Sequence, residues 1–338
     1  MHVLVVGGTG FIGRYVVRRL IETANTVTVL HRGQTNPDLP AGVRYLYGER
    51  SDIEAFASDF KRIAPDVTLD MICYNKQEAT ELIAALDSSC ERLVVASSMD
   101  VYRSYGLLLG LEQGEPDAGP LKEDSPLRES EYPHRGNAKS PADFAKYYEK
   151  RHVEQVVSSA THMNPTILRL PAVYGPGDKY HRTFEYLKRM DDGREKIILE
   201  EKRSRWRWTR GYVENVADAI ALAVTDERSA GRIYNVGEPD ALSEAEWVRS
   251  IGQAAGWRGE VVTLPRDKMP AHLDFHFNWE YQLECDTARI RSELEYAERV
   301  SRVEAMRRTV DWERANPPDQ VDAASFNYAE EDQALNRA

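Results

Sequence analysis

The sequence predicts an α/β fold, a doubly wound parallel sheet with a smaller C-terminal α/β lobe. Three observations predict it. Short apolar runs alternate with amphipathic helical stretches over the first 170 or so residues, the pattern of βαβ units. The first run, Val3-Leu4-Val5-Val6, leads directly into Gly7-Gly8-Thr9-Gly10-Phe11-Ile12-Gly13 and then a helical pattern with Ile12, Tyr15, Val16, Arg19 and Leu20. The chain of 338 residues is also long enough for a sizeable core in two lobes.

Strand, glycines, then helix is the order that makes a glycine pattern a dinucleotide-binding turn. Gly7 suits the tight turn, Gly10 a close backbone approach to a pyrophosphate, and Gly13 close packing of helix on strand. Free N–H groups at the helix start then face phosphates. This places Gly7, Thr9, Gly10, Phe11, Ile12, Gly13 and Arg14 at a cofactor. The competing reading is a plain glycine-rich connection.

The second strand, Val27-Thr28-Val29-Leu30, runs into His31-Arg32-Gly33-Gln34. An acid that grips a ribose 2′-hydroxyl usually stands here, and this chain has none. Arg32 offers a guanidinium for a 2′-phosphate instead, with Arg14 within reach. The expected cofactor is therefore NADP, with NAD as the alternative; Arg32 as a solvated loop cation is the other reading. A third strand, Val43–Tyr47, precedes Gly48-Glu49-Arg50-Ser51-Asp52 and a helix to about Ala64. A fourth, Asp66–Ile72, leads to Cys73, a residue type that is more often a small buried hydrophobe than a reactive thiol. A fifth, Arg92–Ala96, leads to Ser97-Ser98-Met99-Asp100-Val101-Tyr102. Open α/β sheets bind ligands at the carboxyl ends of their strands, so Ser98 is a candidate reacting group, or else a serine capping its own turn.

Residues 103 to about 140 carry little periodicity. A loop of this length suggests a lid, with Tyr105, Tyr132 and His134 within reach of a substrate. A helix is expected from about Ala142 to Ser159, then a sixth strand, Thr166–Leu170. In Lys202–Arg210, Arg203, Arg205 and Arg207 alternate with Trp206 and Trp208. That reads as a strand with one cationic and one aromatic face, suited to an anion, a stacked base or plain packing. A helix from Val216 to Thr225 and a strand, Arg232–Val236, return to the first lobe. Ser243 and Glu246 form a capping box. The division expected is a dinucleotide-binding domain over 1–170, completed by about 211–237, a substrate lobe over 171–210 and 238–315, and a polar, mobile tail over 316–338.

The net charge of −11 argues against general nucleic-acid binding. Cys73, Cys90 and Cys285 are odd in number and far apart, which fits a reducing cytoplasm. No run of about 18 apolar residues suggests a membrane span. His272 and His276 lack an evident third ligand, so no metal is expected.

The glycine turn, Ser97-Ser98 with Val101-Tyr102, and Arg169-Leu170-Pro171-Ala172-Val173-Tyr174-Gly175-Pro176 together resemble the extended short-chain dehydrogenase/reductases, the branch of nucleotide-sugar epimerases and dehydratases. The resemblance covers about residues 1–315. It implies that Glu49 lies near an adenine, that Cys73 and its neighbours line the cofactor groove, and that Ser98 is the catalytic Ser/Thr. Asp100 falls on an acid/base position of sugar dehydratases, and Tyr102 lies beside the substrate. Lys150 matches the lysine of Tyr-x-x-x-Lys, which holds the nicotinamide ribose, and Glu154 a later acid. The tyrosine position is Lys146, and Tyr148 would lie on nearly the opposite helix face. Ala172 replaces a substrate-contacting Asn. Arg210 falls on an arginine that grips a substrate diphosphate. His31-Arg32-Gly33 and Gly48-Glu49-Arg50-Ser51-Asp52 resemble an atypical subgroup that includes chloroplast stem-loop-binding proteins.

Two functions are compatible with these residues. One is an epimerase, dehydratase or reductase acting by hydride transfer on a sugar or nucleotide-sugar, through Ser98, Lys150 and a proton carrier, Asp100 or Lys146. Lys146 and Lys150, four apart on one helix face, would lower each other's pKa, while a bound cofactor phosphate or Asp100 would push the other way. Homodimers are common in the family. The other is a dinucleotide-bound protein without turnover, contacting RNA through the Arg/Trp segment.

Overall fold

Seven parallel strands, covered by helices on both faces, carry the N-terminal half of the chain in the computed structural model, which describes residues 1–34, 38–140 and 143–337. The strands are β1 (His2–Val6), β2 (Thr26–His31), β3 (Arg44–Tyr47), β4 (Val67–Asp70), β5 (Leu93–Ser98) and β6 (Thr166–Leu170), with β10 (Ile233–Asn235) returning to the edge. Their spatial order is β10-β6-β5-β4-β1-β2-β3. The direction of winding reverses between β1 and β4, and a crevice opens there beyond the strand ends, where doubly wound sheets bind ligands. This is the expected Rossmann-type fold. The central strands are buried almost without interruption because both faces are covered.

Helices Gly13–Glu22 and Val213–Thr225 close one face through Val16, Val17, Leu20, Val216 and Ile220. Helices Lys76–Leu86 and Lys150–Ser159 close the other through Leu82, Leu86, Val153 and Val157. Two parallel pairs build the remainder: β7 (Ala172–Tyr174) with β9 (Arg210–Tyr212), and β8 (Lys196–Glu200) with β11 (Glu260–Leu264). The Ser243–Glu246 capping box forms as expected.

Four expectations change. Ala142 lies outside the described residues, and the chain beyond it does not form one helix. A 3₁₀ turn, Phe144–Lys146, is succeeded by extended backbone at Glu149, and the helix begins at Lys150. The reason is tertiary. The Glu149 N–H donates to the Tyr74 carbonyl at 2.8 Å, and its buried carboxylate takes Arg128 at 3.1 Å, the Tyr132 N–H at 2.7 Å and the Arg151 N–H at 3.1 Å. These bonds hold Glu149 as an N-cap, against the helical periodicity around it. The Arg/Trp segment is likewise not a strand: Glu201–Arg205 is a helical turn capped by Glu200, and the Trp206 and Trp208 rings meet at 5.4 Å. The stretch after Val101 opens with a helix, Arg103–Leu108. The polar tail folds into the helix Tyr328–Asn336, docked by a buried Arg189–Glu331 pair at 2.8 Å.

Candidate functional site

Three adjoining cavities follow the carboxyl ends of the strands. The first, of about 540 Å³, is walled by Gly7, Thr9, Gly10, His31, Arg32, Gln34, Glu49, Ile72 and Tyr74. It suits a dinucleotide. Gly7 has φ +87°, and a Cβ there would lie 2.6 Å from Ile72. A Cβ at Gly13 would lie 2.5 Å from the Gly7 carbonyl, so only glycine lets the helix approach so near. Gly10 faces open space, where a phosphate can come close to backbone.

Other expected cofactor residues sit differently. Phe11 and Ile12 pack on the core beneath the turn, outside the groove wall. Arg14 donates to the Pro176 carbonyl at 2.7 Å, which turns it away from the groove and leaves Arg32 at the wall. The Cys73 thiol is in the core, where burial pushes its pKa up. Its carbonyl holds Lys150 instead.

The second cavity, of about 420 Å³, meets the groove at Phe144. Ser98, Asp100, Tyr105, His134, Tyr148, Ala172 and Arg182 line it. Ser98 stands at the end of β5 and accepts the Asp100 N–H at 3.2 Å. The Tyr148 hydroxyl donates to Asp100 Oδ2 at 2.7 Å, and the His134 ring nitrogen lies 3.4 Å from the same oxygen. Asp100 Oδ1 is buried and has no hydrogen-bond partner among the described residues. Lys150 Nζ donates to the Cys73 and Ala96 carbonyls, each at 2.6 Å, below the Tyr74 and Tyr148 rings.

The electrostatics follow from burial and these contacts. Burial alone would raise the Asp100 carboxyl. The hydrogen bond and charge of His134, the Arg128 charge and the Tyr148 hydroxyl outweigh it and hold Asp100 below its ordinary value. Burial first, and then the Asp100 charge, push the Tyr148 phenol well above its ordinary value. Desolvation lowers Lys150.

The expectation that Tyr148 turns away from the site is overturned. It precedes the helix, so helical geometry does not apply to it. Lys146 is not beside Lys150; its ammonium lies over the half-exposed Tyr147 ring, 5.5 Å from the centroid, outside the cavity. Lys146→Met is therefore expected to leave kcat within about twofold of the parent, the scale of a surface change, as read by initial rates. Tyr102 is not at the substrate either. It is fully buried, donates to Asn235 Oδ1 at 2.6 Å and lies under the Arg169 guanidinium. Tyr105 and His134 line the cavity, whereas Tyr132 faces Arg135 instead.

The third cavity, of about 390 Å³, shares Tyr105, Tyr180, Arg182, Trp208 and Leu283 with the second. Arg210 lines it, but its Nη2 is bonded to Glu244 at 2.5 Å and its plane lies 4.4 Å from the Trp247 centroid. Its fork is thus partly spent within the protein.

Among the described residues no helix is long and apolar enough to cross a membrane. Comparisons with known proteins agree with this architecture. The chain is 25% identical over 282 residues to 2′-dehydrokanamycin reductase of Streptomyces kanamyceticus, covering 81% of this chain and 72% of that one. Over a shorter stretch of 128 residues, 34% of each chain, it is 27% identical to a chloroplast stem-loop binding protein of Arabidopsis thaliana. Its fold matches UDP-glucose 4-epimerase of Thermus thermophilus, solved with NAD, at TM-score 0.65 and 22% identity over 94% of this chain and all (100%) of that one. It matches dTDP-glucose 4,6-dehydratase of Streptomyces venezuelae, also solved with NAD, at TM-score 0.66 and 21% identity over 94% and 98%. The profile of the NAD dependent epimerase/dehydratase family covers residues 3–237, which include the glycine turn, Ser98, Tyr148 and Lys150, and the chain belongs to that family.

Proposed function

We propose that the protein is an NADP-dependent oxidoreductase that interconverts a hydroxyl and a carbonyl on a sugar. The observation that carries the proposal is the Tyr148–Asp100 hydrogen bond of 2.7 Å beside Ser98, in a cavity that opens onto the dinucleotide groove. One relative is named a reductase of 2′-dehydrokanamycin and another, of Streptomyces niveus, a dehydratase of dTDP-glucose, which supports this class.

A bound nicotinamide dinucleotide would supply the hydride donor or acceptor. Gly7, Thr9 and Gly10 would hold its pyrophosphate, Glu49 its adenine end, and Arg32 a 2′-phosphate. Lys150, whose ammonium donates to the Cys73 and Ala96 carbonyls, would hold the nicotinamide ribose. Ser98 Oγ and Tyr148 Oη would both hydrogen-bond the reacting sugar oxygen. Because the phenol is held neutral, Tyr148 works as a relay. In oxidation it takes the proton of the sugar hydroxyl while passing its own to the Asp100 carboxylate, to which it already donates; in reduction the two transfers reverse, starting from a protonated Asp100. A phenolate never has to stand beside the Asp100 carboxylate. His134, against the same Asp100 oxygen, connects the relay to the solvent side.

The alternative of a dinucleotide-bound protein without turnover rested on a missing tyrosine and on an Arg/Trp strand. Tyr148 stands at Asp100, and the segment is a helical turn with its indoles packed together.

Turnover of sugar substrates, followed by nicotinamide absorbance with Ser98→Ala as the control, tests the proposal. No absorbance change with any hydroxy- or keto-sugar would count against it. Cofactor choice is tested separately by calorimetry. Losing a charged contact to a 2′-phosphate costs about 1.5–3 kcal/mol, so Arg32→Ala is expected to weaken NADP binding roughly 10- to 100-fold and leave NAD binding unchanged. Equal affinity of the parent protein for both dinucleotides would remove Arg32 from this role.

A further inference from the structure

We infer that the third cavity takes a phosphate-free glycoside and discriminates against nucleoside diphosphates. This rests on the oxidoreductase reading above and names the substrate class of that site. Three arginines line the cavity among the described residues, and each is matched by a carboxylate. Arg210 bonds Glu244; Arg203 bonds Glu185 at 2.7 Å and lies 3.4 Å from Glu244; Arg182 bonds Asp178 at 2.7 Å. Glu244 is buried between two arginines, and although burial raises its carboxyl, their charges keep it below its ordinary value and so ionised.

These pairs decide what can bind. A diphosphate needs cations that are free to turn toward it. Here it would have to separate Arg210 from Glu244 and leave that buried carboxylate with only Arg203 at 3.4 Å and the Tyr186 hydroxyl, facing phosphate oxygens. Arg203 is further immobilised, its guanidinium 4.5 Å from the Phe275 centroid and 5.7 Å from Trp279. The cations that a diphosphate would use are thus built into the wall.

What the wall offers instead is aromatic surface. Trp208, Phe275 and Phe277 contribute the accessible part of it, Trp206, Trp247 and Trp279 are buried in the same wall, and Tyr180 stands exposed at the rim. Ring faces pack on the C–H face of a pyranose or on an apolar aglycone without calling for charge. Through Tyr105 and Trp208 the cavity continues into the one holding Ser98 and Tyr148. A glycoside seated on the indoles can therefore present one ring to those groups.

Quenching of indole fluorescence in the purified protein tests this by binding alone. The probes are phenyl glucoside, an aminoglycoside, UDP and UDP-glucose, at low and high salt. At least one phosphate-free glycoside is expected to bind tenfold or more tighter than UDP and UDP-glucose, and to lose tenfold or more in Trp208→Ala. Glu185→Gln, which removes the charge of the more exposed of the two carboxylates on Arg203, is expected to raise UDP affinity severalfold; an unchanged or lower UDP affinity overturns the inference. Tighter binding of UDP or UDP-glucose by the parent protein overturns it, as does binding of no glycoside. Turnover is a separate reading. Glycoside binding without turnover would sink the oxidoreductase proposal and leave this one standing, whereas turnover of UDP-glucose would do the reverse.

Discussion

Tyr148→Phe is expected to lower kcat by roughly 10²–10⁴-fold, the usual worth of a positioned proton carrier, with dinucleotide affinity unchanged. The substitution removes one oxygen. That oxygen bonds Asp100 at 2.7 Å, and its neighbours Ser98 and His134 stay in place. The ring also stays packed against Tyr74, Phe144 and His134, so the fold is not at stake. Asp100→Asn is expected to lower kcat too, because the relay loses its second station. It also removes the charge that helps raise the phenol, so the Tyr148 pKa should fall. The parent protein is then expected to show no loss of rate on the basic side from Tyr148 ionisation within the ordinary tyrosine range, whereas Asp100→Asn shifts that ionisation toward it. Full turnover in Tyr148→Phe, measured under saturating dinucleotide, would exclude the relay and return attention to Asp100 alone.

Arg128→Met is expected to destabilise the protein by about 3–5 kcal/mol, the cost of leaving one member of a buried ion pair uncompensated. Arg128 and Glu149 have fully buried side chains, and the pair closes at 3.1 Å. At the entropy typical of a chain of this size the loss corresponds to roughly 4–7 °C in Tm. Arg128 also donates to the Asp100 and Ser130 carbonyls, so one guanidinium ties the site loop, the segment before helix Lys150–Ser159 and the turn after β5 together. A fall in kcat below the new melting transition should accompany the loss of stability, since Tyr148 is the residue next to Glu149. The double variant Arg128→Met/Glu149→Leu should recover part of the stability, because replacing a whole buried pair by apolar side chains is often neutral or better while losing the Glu149 cap still costs about 0.5–2 kcal/mol, but it should not recover kcat, because the Glu149 cap is gone. Scanning calorimetry with initial rates separates the two effects. Recovery of both would mean that the pair only stabilises the fold and does not position Tyr148.

Features of this protein that depend on neighbours along the chain are readable in its sequence. Gly7, Gly10 and Gly13 are legible because backbone sterics require glycine in a turn whose helix packs on its own strand. The alternation of apolar runs and helices is legible because each strand of a doubly wound sheet is buried on both faces. The positions of Ser98 and Asp100 are legible because they lie at and just after the carboxyl end of a central strand, and that of Arg32 because it directly follows the second strand. Other roles are set by the folded chain. Tyr148 reads as lying on the wrong helix face only if a helix runs through it, and the bonds of Glu149 to Tyr74, Arg128 and Tyr132, all remote in sequence, stop that helix at Lys150. Tyr102 reads as a substrate contact until Asn235, 133 residues away, takes its hydroxyl. Arg210 reads as an anion grip until Glu244 claims it. In each case the side chain's role depends on a polar partner brought in by the fold. A buried charge or hydroxyl must be matched wherever the chain brings its partner, and periodicity along the sequence carries no record of which partner that is.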